Sequence, residues 1–430
     1  MVESVTNDIK VLIRLIIVVI TIILLPRFVI RFCSSGQIGR SGKDQFRLGI
    51  ENMSDEFLRS MINNKDSQLS IALLTNHAAQ DQFGNRNIDL LLARGIHIKK
   101  IIAPQHGYWG DIASGVCVKN CIDKATGTPI LTVHDRQLDP ADIADINMVF
   151  FDLQDVGIQH YEYVRMLLRL MEVAAVEQKM VVVFDRPNLL GGGMEGICIP
   201  QQMDVDESGI FAVPMRYGMT IGELAMYYHR HVMNKKGGLH VVPMAHYHRQ
   251  AAAYKPISGK LSPNISSLEA CLGYSFLGVL GEVAPFDIGI GTHMAFQCIM
   301  LPEHLNFPKH KWYELREILQ ELGVESSFYR YYSKRKKSYC SGLHIFVHDV
   351  NNFSLFKVLV TTLSFFKQRG VSLTFSEHFS TIPGMNLVKG CIEGYISQVN
   401  YEEEMQRSMK NFFASAVSSC IYYPLPKVVA

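Results

Sequence analysis

The sequence is most restrictive in what it has little of. Its formal charge is only +2 across 430 residues, without the clustered basic face that marks a nucleic-acid binder. Its nine cysteines are scattered, and only Cys117 and Cys121 lie close together, so no second pair completes a zinc spacing. The odd count leaves at least one thiol free or paired between chains. His229 and His231 sit too close on a helix to share a face, and no carboxylate is spaced to join His246 and His248, so no metal site is read. Asp135 has no serine in an elbow motif beside it, which excludes a hydrolase triad. Gly191–Gly196 fits G-x-G-x-x-G, but Arg186–Leu190 separates it from the preceding strand and Ile197–Pro200 after it is not helical. A dinucleotide site is therefore rejected. No internal repeat is present.

An uninterrupted membrane-length apolar run is also missing. Leu15–Leu25 is broken only by Thr21 and spans about 16 Å as a helix, against a hydrocarbon core of roughly 30 Å. Counted over residues 11–32, with arginines snorkelling, a span becomes feasible. The pattern predicts a signal peptide or membrane anchor at 1–43, closed by a Ser/Gly-rich linker. It implies membrane contact through residues 11–32 and an exported protein, periplasmic or membrane-anchored.

What is present is ordinary globular composition, 48% hydrophobic and 19% charged, with length for two domains and a large core. The centre of the pattern is Met148–Gly196. Two apolar runs, Met148–Phe151 and Met180–Phe184, end in Asp152 and Asp185 and flank a helix-length amphipathic segment, which reads as strand, crossover helix and parallel strand. Further strands are expected at Leu69–Thr75, Ile96–Ala103, Pro129–His134 and Leu239–Met244. Helices are expected at Asn87–Arg94 and Gly218–Met233, the latter capped by Thr220 with Glu223. The alternation predicts an α/β fold, a Rossmann-like parallel sheet over 44–258. A smaller α+β domain is predicted over 259–430, with helices near Trp312–Leu322, Leu355–Arg369 and Glu402–Ala416 and a strand near Gly342–Val347. Arg330–Lys337 reads as a solvated basic loop, with a contact surface for an anionic lipid or glycan as the alternative.

In such sheets the loops leaving the carboxyl ends of the strands carry the chemistry. Those positions hold Asn76, Gln105, His106, Asp152, Gln154, Asp155, Tyr161, Tyr163, Asp185, Arg186, Asn188 and Glu195, with Glu282 and Asp287 later. Carboxylates, amides and tyrosines together suit a carbohydrate, since sugars need paired polar contacts and a stacking face, and glycosidic cleavage needs a carboxyl pair. The same residue types also cap helices and hold loops, and the pattern alone leaves both readings open.

The segments LLTNHAAQDQFGNRNIDLLL, IIAPQHGYWGD, FDLQDVGIQHYEYV, VFDRPNLLGGGMEG, PMRYGMTIGELA, LSPNISSLEACLGY and GEVAPFDIGIGT follow one another in the chain. In that order they resemble the blocks of the bacterial exo-β-N-acetylmuramidases, a glycoside hydrolase family. The resemblance implies a Rossmann-like domain, a smaller C-terminal domain and a site between them. It implies removal of terminal N-acetylmuramic acid from peptidoglycan fragments, with a cell-wall sugar or muropeptide as partner and no cofactor. The family block Pro-Glu-His-Gly carries its leading acid/base candidate, and here that glutamate is Gln105, whose carboxamide has no transferable proton. His106, Gly107, Asp152, Gln154, Asp155, Gly157, Tyr161, Tyr163, Asp185, Arg186, Pro187, Asn188, Gly191 and Glu195 match, as do Met219, Thr220, Gly222 and Glu223. In a later block Glu282 is kept, but Pro285 replaces an asparagine and Ile290 an arginine. A guanidinium would clamp the lactyl carboxylate of muramic acid, and Arg186 and Arg216 remain for that part. The expected catalytic carboxyls are Glu195 with Asp155 or Glu282. A non-catalytic glycan-binding protein of the same fold is the alternative, with Gln105 as the discriminating residue.

Overall fold

The computed structural model describes residues 45–57, 69–112, 120–133, 137–198, 213–249, 260–347, 349–350 and 353–429. The leader and linker expected at 1–43 fall outside these residues, as do Cys33, Cys117, His134 and Asp135. The first elements in chain order are β1 (Ile71–Thr75), α1 (Asn87–Ala93), β2 (Ile98–Ala103), β3 (Cys121–Ile122), β4 (Pro129–Thr132), α2 (Pro140–Ile143), β5 (Met148–Asp152), α3 (Glu162–Val176), β6 (Met180–Phe184), β7 (Gly193–Glu195), β8 (Arg216–Tyr217), α4 (Ile221–His231) and β9 (Gly238–Val242). Seven of them form one sheet in the order β3-β4-β2-β1-β5-β6-β9. All neighbours are parallel except β3 on β4.

The apolar runs explain why both faces are covered. Side chains alternate along a strand, so Ala72 and Leu74 of β1 enter one core while Ile71 and Leu73 enter the other. On the first face α3 supplies Val164, Leu167, Leu168 and Met171. On the second, α1 supplies Ile88 and Leu91. This is the Rossmann-like arrangement that the strand–helix alternation predicts. α4 starts where expected: Thr220 accepts from the Glu223 N–H and the Glu223 carboxylate returns to the Thr220 N–H.

Beyond the sheet follow α5 (Leu268–Leu280), β10 (Val283–Ala284), β11 (Cys298–Pro302), α6 (Lys309–Glu321), β12 (Val324–Ser333), β13 (Ser338–Val347), α7 (Leu355–Gln368), β14 (Thr374–Phe375), α8 (Glu377–Thr381), α9 (Met385–Glu393), α10 (Gln398–Ala416) and β15 (Lys427–Val428). Strands β11, β13 and β12 form an antiparallel sheet in that order. Arg330–Lys337 is thereby corrected. Arg330 to Ser333 finish β12, and only Lys334–Lys337 make the hairpin turn, because Tyr332 pairs with Tyr339 across the ladder. The Arg330 guanidinium lies over the Tyr339 ring, 4.0 Å from its centroid. Helix α5 escaped sequence reading for a physical reason. Ala270, Cys271, Phe276, Leu277, Val279 and Leu280 bury it on all sides, and a helix apolar all round shows no amphipathic period.

The larger core is continuous from the sheet through α5, α7, α9 and α10, and Phe46–Ala430 forms one compact unit. The chain returns to the sheet at its end. Tyr422 donates to Asp185 at 2.8 Å and accepts from the Met244 N–H. The buried Arg249–Glu223 pair, 2.6 Å apart, also binds the carbonyls of Tyr422 and Pro424.

Candidate active site

Strand β1 sits between β2 and β5, so the chain runs outward from β1 in one direction and then returns to its other side. That reversal opens a crevice at the carboxyl ends. A hollow of about 140 Å³ lies there, lined by Gln105 and His106 after β2, by His160 to Tyr163 after β5, and by Ser262, Asn264, Ile265, Tyr274 and Phe296. Its wall is aromatic: Tyr161 and Tyr163 meet edge-on at 4.7 Å, as do Tyr274 and Phe296 at 4.8 Å. His106 adopts a left-handed φ of 70°, and its Nδ1 faces the Ile112 carbonyl at 2.7 Å. That carbonyl can only accept, so the Nδ1 donates to it. Asn76, after β1, braces the wall from behind by donating to the Tyr163 hydroxyl at 2.5 Å.

His160 carries the hollow's clearest unmet polar demand. Burial lowers its pKa to about 4, so the ring is neutral at physiological pH. Neither ring nitrogen has a partner among the described residues. The ring packs against Tyr274 at 4.7 Å, and a side chain at Gly278 would come within 3.0 Å of its Nε2. A neutral imidazole held this way offers one donor and one acceptor, which matches a sugar hydroxyl.

The loop after β6 does other work. Asp152 and Arg186 form a fully buried bidentate pair joining the ends of β5 and β6, with Asn87 adding a bond to the same carboxylate at 2.9 Å. Asp185 accepts from Thr220, Tyr422 and the N–H groups of Arg186 and Gly222. Burial and the nearby Glu223 charge push its pKa up to about 6. Gln154 donates to the carbonyls of Asp155 and Pro187, both at 2.8 Å. Asn188 ties its loop to Met219 at 2.7 Å.

None of the three expected catalytic carboxyls lines the hollow. Glu195 is fully buried and accepts from Ser354, Leu355 N–H and Phe356 N–H; it is the anion at the start of α7, where the helix dipole favours it. Asp155 accepts from Tyr217 and the Gly157 N–H, beneath the hollow rather than on its lining. Its burial raises the pKa to about 6. Glu282 is held by Ser376 at 2.6 Å beside β14. Arg216, an expected carboxylate clamp, spends its guanidinium on the carbonyls of Leu190, Val350 and Phe353, and burial lowers its pKa to about 10. Asp287 binds Tyr331 and Ser333 at the base of the C-terminal sheet. The hollow brings together Gln105, His106, Tyr161 and Tyr163 from the expected set. It adds His160, Glu162, Ser262, Asn264, Tyr274 and Phe296. His160 and Glu162 stood in the same stretch as the two tyrosines; Tyr274 and Phe296 carry no local signal.

A second, larger groove of about 640 Å³ crosses the C-terminal sheet over Phe307, Trp312 and Phe328. Its acid, Glu303, is already held by Arg330 at 2.6 Å and by Ser341.

Comparison with known proteins agrees with this architecture. The profile of the family described as exo-beta-N-acetylmuramidase NamZ, N-terminal, matches residues 71–269. The chain is 26% identical over 395 residues to the peptidoglycan beta-N-acetylmuramidase NamZ of Bacillus subtilis (strain 168), covering 88% of this chain and 92% of that one. Over this stretch the chain resembles the NamZ family. This is a family of glycosidases, and the matched residues 71–269 span every strand of the large sheet and the β2 and β5 loops of the hollow. Two crystal structures of DUF1343 family proteins from Bacteroides fragilis NCTC 9343 share the fold. Their TM-scores are 0.72 and 0.66 at 23% and 22% identity, each covering 88% of this chain and 99% of its own.

Proposed function

We propose that this NamZ-like protein is an exo-acting glycoside hydrolase that removes terminal N-acetylmuramic acid from peptidoglycan fragments, at a rate lowered by Gln105. The observation that supports this reading is the hollow itself. At about 140 Å³ it is well below the roughly 300–1,000 Å³ of pockets that enclose a whole small-molecule ligand. It suits one end group of a chain rather than its interior. Its aromatic wall offers a stacking face, and Gln105, His106, His160 and Asn264 offer hydrogen bonds to ring substituents. The relative in Bacillus subtilis carries the corresponding activity in its name.

The test is release of the chromophore from a chromogenic N-acetylmuraminide by the full chain and by Gln105→Glu. Both are expected to cleave, the variant about tenfold faster or more, since the carboxyl it adds completes the pair that glycosidic cleavage uses. A specific observation favours a second reading, a protein that holds a muropeptide without cutting it: Gln105 has no proton to give, and Asp155, Glu195 and Glu282 are absent from the lining of the hollow. Sugar binding by calorimetry without cleavage by either protein would establish that reading and overturn the first. The same proposal places the protein where such fragments occur, outside the cytoplasm, with residues 11–32 as its signal or anchor. Recovery of the full chain in the soluble cytoplasmic fraction would refute that placement.

A further inference from the structure

We infer that Glu162 is the proton-transferring carboxyl of the hollow. The inference rests on the glycosidase reading above and assigns its chemistry to a residue that neither composition nor resemblance singled out. Among the described residues lining the hollow, Glu162 is the one carboxylate. The remaining polar groups there are amides, hydroxyls and imidazoles. Cleaving a glycosidic bond requires a carboxyl beside the leaving oxygen, and no other group on this wall can supply one.

Its placement is consistent with that work. Glu162 is the first residue of α3, directly between Tyr161 and Tyr163, so α3 fixes its backbone while its side chain stays half-buried at the rim. His160, two residues earlier, offers unpartnered nitrogens at the same place. A sugar seated on the tyrosines and held by His160 would present its anomeric bond to Glu162. In the reaction, the bond between C1 and the glycosidic oxygen breaks with its electron pair passing to oxygen, which takes the Glu162 proton. Water then adds to C1 and returns a proton to the Glu162 carboxylate. One water is consumed, and the free muramic acid and the shortened fragment leave.

A plain structural part for Glu162 is that of an acid in the first turn of a helix, which favours the helix dipole and has no share in turnover. The test separates the two. In the full chain, Glu162→Gln is expected to lower kcat on a chromogenic N-acetylmuraminide by 10²- to 10⁴-fold, while Kd for free N-acetylmuramic acid changes by less than about threefold, as one neutral substitution allows. Formate is expected to restore activity to Glu162→Ala, and the wild-type loss of kcat/KM toward high pH is expected to vanish in Glu162→Gln. Should Glu162→Gln fold poorly, Glu162→Asp serves instead, keeping the high-pH limb at reduced kcat. Cleavage by Glu162→Gln within about tenfold of wild type overturns the assignment and leaves the glycosidase reading standing. Lost activity without formate rescue, together with lost sugar binding, overturns it by showing a structural prop. A wild type that binds the sugar but never cleaves overturns both.

Discussion

Single residues here separate into those that hold the crevice and those that face it, and burial decides which. Asp152 and Arg186 are paired with no exposed surface to spare. Removing one partner leaves an uncompensated buried charge, so Arg186→Met is expected to cost on the order of 3–5 kcal/mol, read from urea unfolding. Asp155 makes a different prediction. Its folded pKa of about 6 lies above the unfolded value near 3.9, so between those values the folded state binds more protons. Stability from this group is therefore fully present at low pH and lost as pH rises from about 4 to about 6. Asp155→Asn, which stays neutral, is expected to flatten that decline in a series of urea midpoints. An unchanged slope would show that Asp155 does not titrate there. At the same scale, replacing His160 by Phe is expected to weaken N-acetylmuramic acid binding about three- to tenfold, the worth of one lost hydrogen bond.

At the scale of elements, helix starts show how polar residues that look chemical serve the fold. Glu195 and Ser354 together satisfy the first N–H groups of α7, and Asp185 with Thr220 does the same for α4. Glu195→Ala is expected to destabilise the protein by roughly 1–3 kcal/mol without changing affinity for the sugar, because it leaves buried donors unmet far from the hollow. A loss of sugar affinity with unchanged stability would return Glu195 to the site. Six of the seven strands of the large sheet were legible within about two residues, since runs such as IALLT and MVVVF carry their own pattern; the two-residue β3 was not expected. Helix α5 and strand β12 were not. The first lacks a polar face, and the second hides its alternation under four consecutive cations at its turn.

The whole molecule is closed by its last residues. Tyr422 reaches Asp185 at the end of β6, and Glu223 accepts the N–H groups of Ile421 and Tyr422. Arg249 clamps this return from the other side. Deleting residues 420–430 would expose two buried carboxylates and unpair Asp185 from Tyr422. Such a chain is expected to lose cooperative unfolding in calorimetry rather than shed a passive tail. An unchanged transition would show that the return is ornamental. The loops after β5 and β6 were expected to share the chemistry, yet the hollow is lined from the loop after β5 and by the expected Gln105 and His106 after β2, while the loop after β6 turns toward α7 and the C-terminal return.

The order of residues by itself determined the strand–helix alternation, the parallel sheet and the likeness to the NamZ family, because periodicity and block order are local or sequential properties. It also placed Gln105, His106, Tyr161 and Tyr163 at strand ends. Only the tertiary structure decided which polar groups face open space. That depends on the reversal of strand order at β1 and on distant partners such as Ser354, Tyr217 and Tyr422, which engage carboxylates up to 237 residues away. A carboxylate enclosed by such partners is scaffold, and one that lines a crevice is placed to meet a ligand; no spacing along the chain records the difference.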